Sequence, residues 1–454
     1  MSGLPHGWTT AALQDIADVI AGQAPPGSSY NKDGMGVPLY QGKTDFGDLR
    51  VEPPRIWTTK PSKCAEAGDV LLSVRAPVGP TNFAREDCAI GRGLAAIRGR
   101  GGIDQRYLLY AVRATVGQLE KQATGTTFAA IGSSVIRNHP IPIAPKAEQV
   151  RIVAVIEEQF SRLDAGVTAL RRIRQGLYQM RAAVLNAAVS GQLTSPDTGR
   201  PRGELPDGWR LCTPRELAQD RKHALAIGPF GSNLKVVDYR DEGVPLVFVR
   251  QVRSGSFGGS DTRFISATKG RELGAHGVAG GDVLITKMGE PPGDAVVYPI
   301  GYPDAVITAD VIKVSVGSDV LADYLALAIN SRWVRDQIAA ITSGVAQQKV
   351  SLARFASSIH VPTPPLPEQR RIVTTVGERM EELARLDLAI TAGLNRSFAL
   401  RSAILARAFS GKLVPQNPTD EPASALIEGL ASKRASPNNT KAGKARERRR
   451  KATA

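Results

Sequence analysis

Residues 142–153 read PIAPKAEQVRIV and residues 362–373 read PTPPLPEQRRIV. Both follow P-x-x-P-x-x-E-Q-x-R-I-V, 220 positions apart. Repetition at that distance implies two large copies of one plan and excludes a solenoid of short units. Further pairs fall in the same order. LPHGW at Leu4–Trp8 recurs as LPDGW at Leu205–Trp209, and GVPL at Gly36 recurs at Gly243. GDVLL at Gly68 recurs as GDVLI at Gly281, YLLYAVRA at Tyr107 as YLALAINS at Tyr324, and SGQL at Ser190 as SGKL at Ser410. The offset climbs from 201 to 220 and then stays constant. Each copy is therefore a module whose loops tolerate insertion, followed by a segment that keeps its length.

The variable modules, 1–145 and 197–365, are rich in Gly and Pro. Short apolar runs such as GDVLLSV, DVLITKM and DVIKVSV read as strands. QRYLLYAVRATVGQLEKQA and LADYLALAINSRWVRDQIAAI carry apolar residues three and four apart and read as helices. Each module is expected to be a mixed α/β fold.

The fixed segments, 146–196 and 366–414, read as long helices. Ile152, Ile156, Phe160, Leu163, Val167, Leu170, Ile173, Leu177, Met180 and Val184 step by three or four. So do Ile372, Val376, Met380, Leu383, Leu386, Ile390, Leu394 and Phe398 in the second copy. Prolines set each start and Ser-Gly each stop, because Pro suits the first turn and Gly the left-handed position past the end. Two matched seams in one chain can seal one another. About 43 residues of helix is roughly 64 Å, or on the order of nineteen base pairs of duplex DNA. Two modules spaced by such rods suit two separated half-sites.

The chain of 454 residues carries a net charge of +15. Residues 433–451 hold nine Lys/Arg and one Glu, so +7 remains on the rest. A basic body suits a polyanion. The segment 415–454 is expected to be a disordered basic tail, since its end is almost free of apolar residues. Cys64, Cys88 and Cys212 form no C-x-x-C pair, which argues against a disulfide framework or a cysteine-based zinc site. No signal-like start and no long apolar run occurs, so a soluble cytoplasmic protein is expected.

Catalytic signals are few. GRGLAA at Gly91–Ala96 matches a dinucleotide pattern but opens no βαβ unit. GVPLYQGKT has the wrong spacing for a phosphate loop, and the five histidines show no metal-ligand spacing. No G-x-S-x-G elbow and no methyltransferase Pro-Pro-aromatic motif is present. No catalytic and no metal residues are assigned.

Basic and amide side chains at turn positions are abundant instead. In the first module the candidate DNA-binding residues are Gln23, Ser28, Tyr30, Gln41, Lys43, Thr44, Arg75, Arg92 and Thr126. In the second they are Ser232, Asn233, Lys235, Arg250, Gln251, Arg253, Lys287, Gln347, Gln348 and Lys349. Arg and Lys pair with guanine O6/N7, Gln and Asn with adenine N6/N7, and all can hold phosphates.

The LP-x-GW starts, the stretch GDVLLSVRAPVGPTNFAREDCAIGRGLAAIRG (68–99), AIGPFGSNLK (226–235), both Pro-to-EQ junctions and SGKLVPQNP (410–418) together resemble the specificity subunit of type I restriction-modification systems. The resemblance covers nearly all of residues 1–415. It implies an α+β architecture of two target recognition domains, with the long helices forming an antiparallel coiled coil. It also implies a bipartite double-stranded DNA target, two methyltransferase subunits, and restriction subunits that join the complex. Adenine N6 is the expected methylation site. S-adenosylmethionine is expected on the methyltransferase partner, with no cofactor on this chain. A stand-alone DNA-acting enzyme such as a nuclease, or a protein-only coiled-coil adaptor, are the alternatives.

Overall fold

The computed structural model describes residues 3–124, 129–194, 204–259, 262–344 and 348–435. They form two compact units, one comprising the chain up to Ala169 and from Gly393 on, the other Leu170–Ala392. Packing thus divides each long helix between the units, whereas the sequence boundaries assigned each helix to a segment of its own.

In the first unit, Ala17–Ala21, Leu94–Gly99, Val70–Ser73 and Thr81–Phe83 form an antiparallel sheet in that order. Val70–Ser73 is buried throughout, as befits an apolar run inside a sheet that is covered on both faces. A second sheet runs Tyr30–Asn31, Trp57–Thr58, Val37–Tyr40, Cys88–Ile90 and Cys64–Ala65. Its one parallel pair sets Leu39 against Ala89. The helix Gln105–Glu120 starts at Asp104, whose carboxylate accepts the amides of Arg106 and Tyr107 at 2.7 and 3.0 Å.

The second unit repeats this topology. Leu225–Ile227, Val311–Val314, Val283–Thr286 and Ala295–Val297 form its antiparallel sheet. Tyr239–Arg240, Arg263–Ile265, Val244–Val247, Ala305–Ile307 and Gly277–Val278 form the other, with Leu246 parallel to Val306. The short hairpin Val252–Arg253 with Ser256–Phe257 repeats the bridge between Phe46 and Val51. The helix Ala267–Glu272, between Arg263–Ile265 and Gly277–Val278, has no counterpart between Trp57–Thr58 and Cys64–Ala65 and accounts for part of the climbing offset.

The long helices span Lys146–Val189 and Leu366–Phe409. The duplicated junction explains how each is attached. Trp8 Nε1 donates to Glu148 Oε2 at 3.0 Å, and Trp209 Nε1 donates to Glu368 Oε2 at the same distance. The Trp of each LP-x-GW motif is thus clasped by the Glu of the corresponding E-Q pair. The Gln beside it turns back on its own entry strand: Gln149 Nε2 donates to Ala144 O at 2.9 Å, and Gln369 Nε2 to Pro364 O at 2.8 Å. Tyr107 and Tyr324 hold the same strands, donating to Pro142 O at 2.9 Å and Pro362 O at 2.6 Å. Burial pushes the Glu148 carboxyl above its ordinary range, against the opposing pull of donors from Gln416 and Trp8.

The helix ends meet the same motifs. Gly191 and Gly411 have φ of 75° and 68°, the left-handed position that closes a helix. A Cβ on Gly191 would lie 2.2 Å from Pro206 Cγ, and one on Gly411 would lie 2.1 Å from Pro5 Cγ. No larger residue fits there. Within the first unit, Ile152, Ile156 and Phe160 share a core with Leu405, Ala408 and Phe409. Asp164 pairs with Arg401, whose guanidinium also lies 4.8 Å from the Phe160 ring centroid. In the second unit Arg174 Nε donates to Asp387 at 2.9 Å and Nη2 to Thr391 at 3.3 Å. The helical segments in each unit are antiparallel. The seam is less regular than the three-and-four spacing suggests. Ile173, Met180, Leu386 and Phe398 are 52–65% exposed, because 3.6-residue geometry rotates successive positions off a single contact line.

The expected tail begins later than residue 415. Gln416 donates to Glu148 Oε1 at 2.7 Å, Asp420 pairs with Arg151, and Ala423 N donates to Gly7 O at 2.8 Å. The helix Ala423–Ala435 then packs Ala423, Leu426, Ile427 and Leu430 on the first core. These apolar residues precede the basic run, which dominated the sequence reading. Residues 436–454 lie outside the described residues. Among the described residues, no helix is long and apolar enough to cross a membrane.

Phe409 is 7% exposed and lies 5.2 Å, centroid to centroid, from Tyr107. Phe409→Ala is expected to destabilise the first unit by about 3–5 kcal/mol. Phe398→Ala, on the same helix but 65% exposed, should stay within about 0.5 kcal/mol. Urea midpoints of the two variants check this. Trp8→Phe removes one donor from Glu148 and should cost about 1–3 kcal/mol by the same measurement.

Candidate nucleic-acid interface

Loops of the first module meet where several strands end. Ala17–Ala21 runs into Gln23, Val37–Tyr40 into Gln41, Lys43 and Thr44, Val70–Ser73 into Arg75, and Cys88–Ile90 into Arg92. Main-chain hydrogen bonds tie these loops together. Gln23 N donates to Ile90 O at 2.9 Å, Gly91 N to Tyr40 O at 2.8 Å, and Val74 N to Gly93 O at 2.9 Å. Arg75 bridges to Ala130, and Ile131 N donates to Val74 O at 3.0 Å. The approach is close enough to require glycine. A Cβ on Gly93 would lie 2.2 Å from Gln41 O, and one on Gly22 the same distance from Gly91 O. Asp45 shapes the turn that carries Lys43 and Thr44, accepting Gln41 N at 2.7 Å and Gly42 N at 3.3 Å.

Gln23, Gln41, Lys43, Thr44, Arg75 and Arg92 are exposed on this one cluster. Ser28 is exposed and Tyr30 half-buried, but both sit on the turn and edge strand at Gly27–Asn31. The tying bonds do not reach them. Tyr30 Oη donates to Pro25 O at 3.3 Å. Thr126 lies outside the described residues.

The second module builds the same cluster. Thr308 N donates to Val247 O at 2.9 Å, Lys287 N to Asp310 O at 2.8 Å, and Val350 N to Lys287 O at 3.0 Å. Met288 bridges to Lys349. A Cβ on Gly228 would lie 2.1 Å from the Thr308 carbonyl carbon, so the 228–235 loop leaves from the same place. Arg250, Arg253, Gln348, Lys349, Ser232, Asn233 and Lys235 are exposed. Arg253 Nη1 also donates to Val252 O at 3.2 Å. Lys287 is half-buried, with Nζ 3.3 Å from Ala309 O. Gln347 lies outside the described residues.

Gln251 does not belong with the presented side chains. It is 5% exposed, and its amide oxygen accepts Phe248 N at 2.8 Å. It closes the Val249–Gln251 turn from within and so positions Arg250. Sequence reasoning also overlooked Phe248, whose ring centroid lies 4.3 Å from the Arg250 guanidinium carbon, and Phe230, which is 65% exposed. Continuing the GVPL alignment two residues sets Phe248 opposite Gln41 and was the signal available. Among the described residues, no group of three His, Cys, Asp or Glu side chains gathers as a metal site would need.

Residues 5–171 match the family model of the type I restriction modification DNA specificity domain. The chain is 24% identical over 485 aligned residues to the type I restriction enzyme EcoKI specificity subunit of Escherichia coli, covering 97% of this chain and 98% of that one. It is 32% identical over 193 residues to a putative type I restriction enzyme MjaX specificity subunit of Methanocaldococcus jannaschii, covering 42% of this chain and 44% of that relative. A solved chain described for complex assembly and conformational transition of the type I R-M system shares the fold. Its TM-score is 0.67 at 20% identity, over 91% of this chain and all of that one. With the duplicated modules, a long helix in each copy and the matching loop clusters, the chain is similar over nearly its whole length to type I restriction enzyme specificity subunits.

Proposed function

We propose that this chain is the non-catalytic sequence reader of a type I restriction-modification complex, each module reading one half of a bipartite site in duplex DNA. The carrying observation is that one backbone frame occurs twice and presents a different set of polar and basic side chains each time. A shared frame with exchanged side chains suits two dissimilar half-sites. The long helices space the modules and supply the docking surface for two methyltransferase subunits, with restriction subunits joining that assembly. Their exposed apolar residues, including Ile173, Met180, Leu386 and Leu388, support the docking role. S-adenosylmethionine binds the methyltransferase partner, and adenine N6 receives the methyl group there.

The test is reconstitution with the partner methyltransferase, followed by sequencing of methylated adenines. The full chain should direct methylation to a two-part site, and deleting either module should abolish it. Methylation or cleavage by the purified chain alone would overturn the proposal in favour of a stand-alone enzyme. Inserting a few residues within 150–189 should change the preferred gap or abolish assembly while leaving both half-site sequences unchanged. In binding titrations, log K should fall linearly with log salt, by about 0.9 per phosphate contacted; salt-independent binding would favour a protein-only adaptor.

A further inference from the structure

The matching hydrogen bonds align the two loop clusters residue by residue. Val74 N to Gly93 O corresponds to Lys287 N to Asp310 O, and Gly91 N to Tyr40 O corresponds to Thr308 N to Val247 O. The bridge from Arg75 to Ala130 corresponds to the bridge from Met288 to Lys349. Arg75 therefore occupies the place of Met288, and Arg92 that of Ala309. Beyond the equivalent strand ends Tyr40 and Val247, the turns Lys43–Asp45 and Val249–Gln251 match, Asp45 and Gln251 each accepting the amide three residues back, so Arg250 stands at the place of Thr44, next to that of Lys43. A cation is kept on this turn, at neighbouring positions, and lost at the other two places.

The contrast separates two kinds of contact. Phosphates present the same charge at every sequence, so two modules gripping one duplex in the same way need a cation on the equivalent turn. Base edges differ between half-sites, so the side chains that meet them should be the ones exchanged. Arg75 and Arg92 are exposed, and their guanidinium groups make no hydrogen bond or ion pair among the described residues. By contrast Arg98 and Arg100 are held by Asp69 and Asp18, and Arg113 by Thr81. The two loop arginines keep the planar donor fork that matches guanine O6 and N7. Met288 and Ala309 present apolar surface, whose counterpart in the major groove is the thymine methyl.

We infer that Arg75 and Arg92 are specificity-determining residues that read guanines in the half-site of the first module, and that Met288 and Ala309 meet thymine at the equivalent places of the other. Lys43 and Arg250 hold phosphates. This inference rests on the proposed function and assigns its chemistry to named positions.

The experiment uses the full chain reconstituted with its methyltransferase, and reads the methylated motif for wild type, Arg92→Ala, Arg75→Met and Lys43→Ala. Each arginine variant should lose discrimination at one G·C pair of one half-site, by on the order of 5- to 150-fold, with the other half-site unchanged. Lys43→Ala should weaken binding evenly across sequences and lower the salt slope by about 1. Replacing thymine by uracil in the second half-site should lower methylation, because it removes the methyl group and little else. Even weakening by both arginine variants, relaxation at an A·T pair, or indifference to uracil would overturn the inference alone. A wild-type complex that methylates no two-part site would overturn the proposed function, and this inference with it.

Discussion

The hydrogen bond from an indole to the first-turn glutamate of a long helix, buried as Glu148 and half-buried as Glu368, is made once in each unit and is the contact on which the architecture turns. Trp8 and Glu148 are 140 positions apart, and Trp209 and Glu368 are 159 apart. Each pair joins the first strand of a module to the first turn of its long helix. Glu148 is 1% exposed, so losing its donors would strand a charge away from water, the costliest kind of unmet polar group. With Pro5 and Pro206 pressed on the helix-ending glycines, each LP-x-GW motif is gripped from two sides. The motif recurs because the grip recurs.

Much of the fold was legible. The helix spans followed from apolar spacing and from punctuation by Pro and Gly, both strong local signals. The strands were visible as apolar runs, but their order was not, since pairing between Val37–Tyr40 and Cys88–Ile90 depends on partners distant in sequence. The helix Ala423–Ala435 was obscured for a compositional reason. Its few large apolar residues lie just before the basic stretch 433–451, yet they suffice because a formed core receives them.

The candidate surface was legible in residue type and less so in placement. Exposed Arg75 and Arg92 fall on one cluster because the strands carrying them end together. Ser28 and Tyr30 are of the same chemical kind but sit on a turn and edge strand elsewhere. Gln251 is of the same chemical kind as Gln41, yet a turn of three residues folds its amide back onto Phe248 N. Side-chain chemistry says what a residue can bind; only the local backbone says whether it is offered.

The bonds that tie the loops together are made by backbone amides and carbonyls, with glycine where two strands of loop touch. Those bonds are indifferent to side-chain identity. New side chains at Arg75 or Met288 therefore leave the supporting frame intact, and the molecule can acquire a new vocabulary without relearning how to fold. The constraint falls instead on the glycines. At Gly22, Gly93 and Gly228 any side chain would collide with main chain, so these positions are closed to the variation that their neighbours can explore.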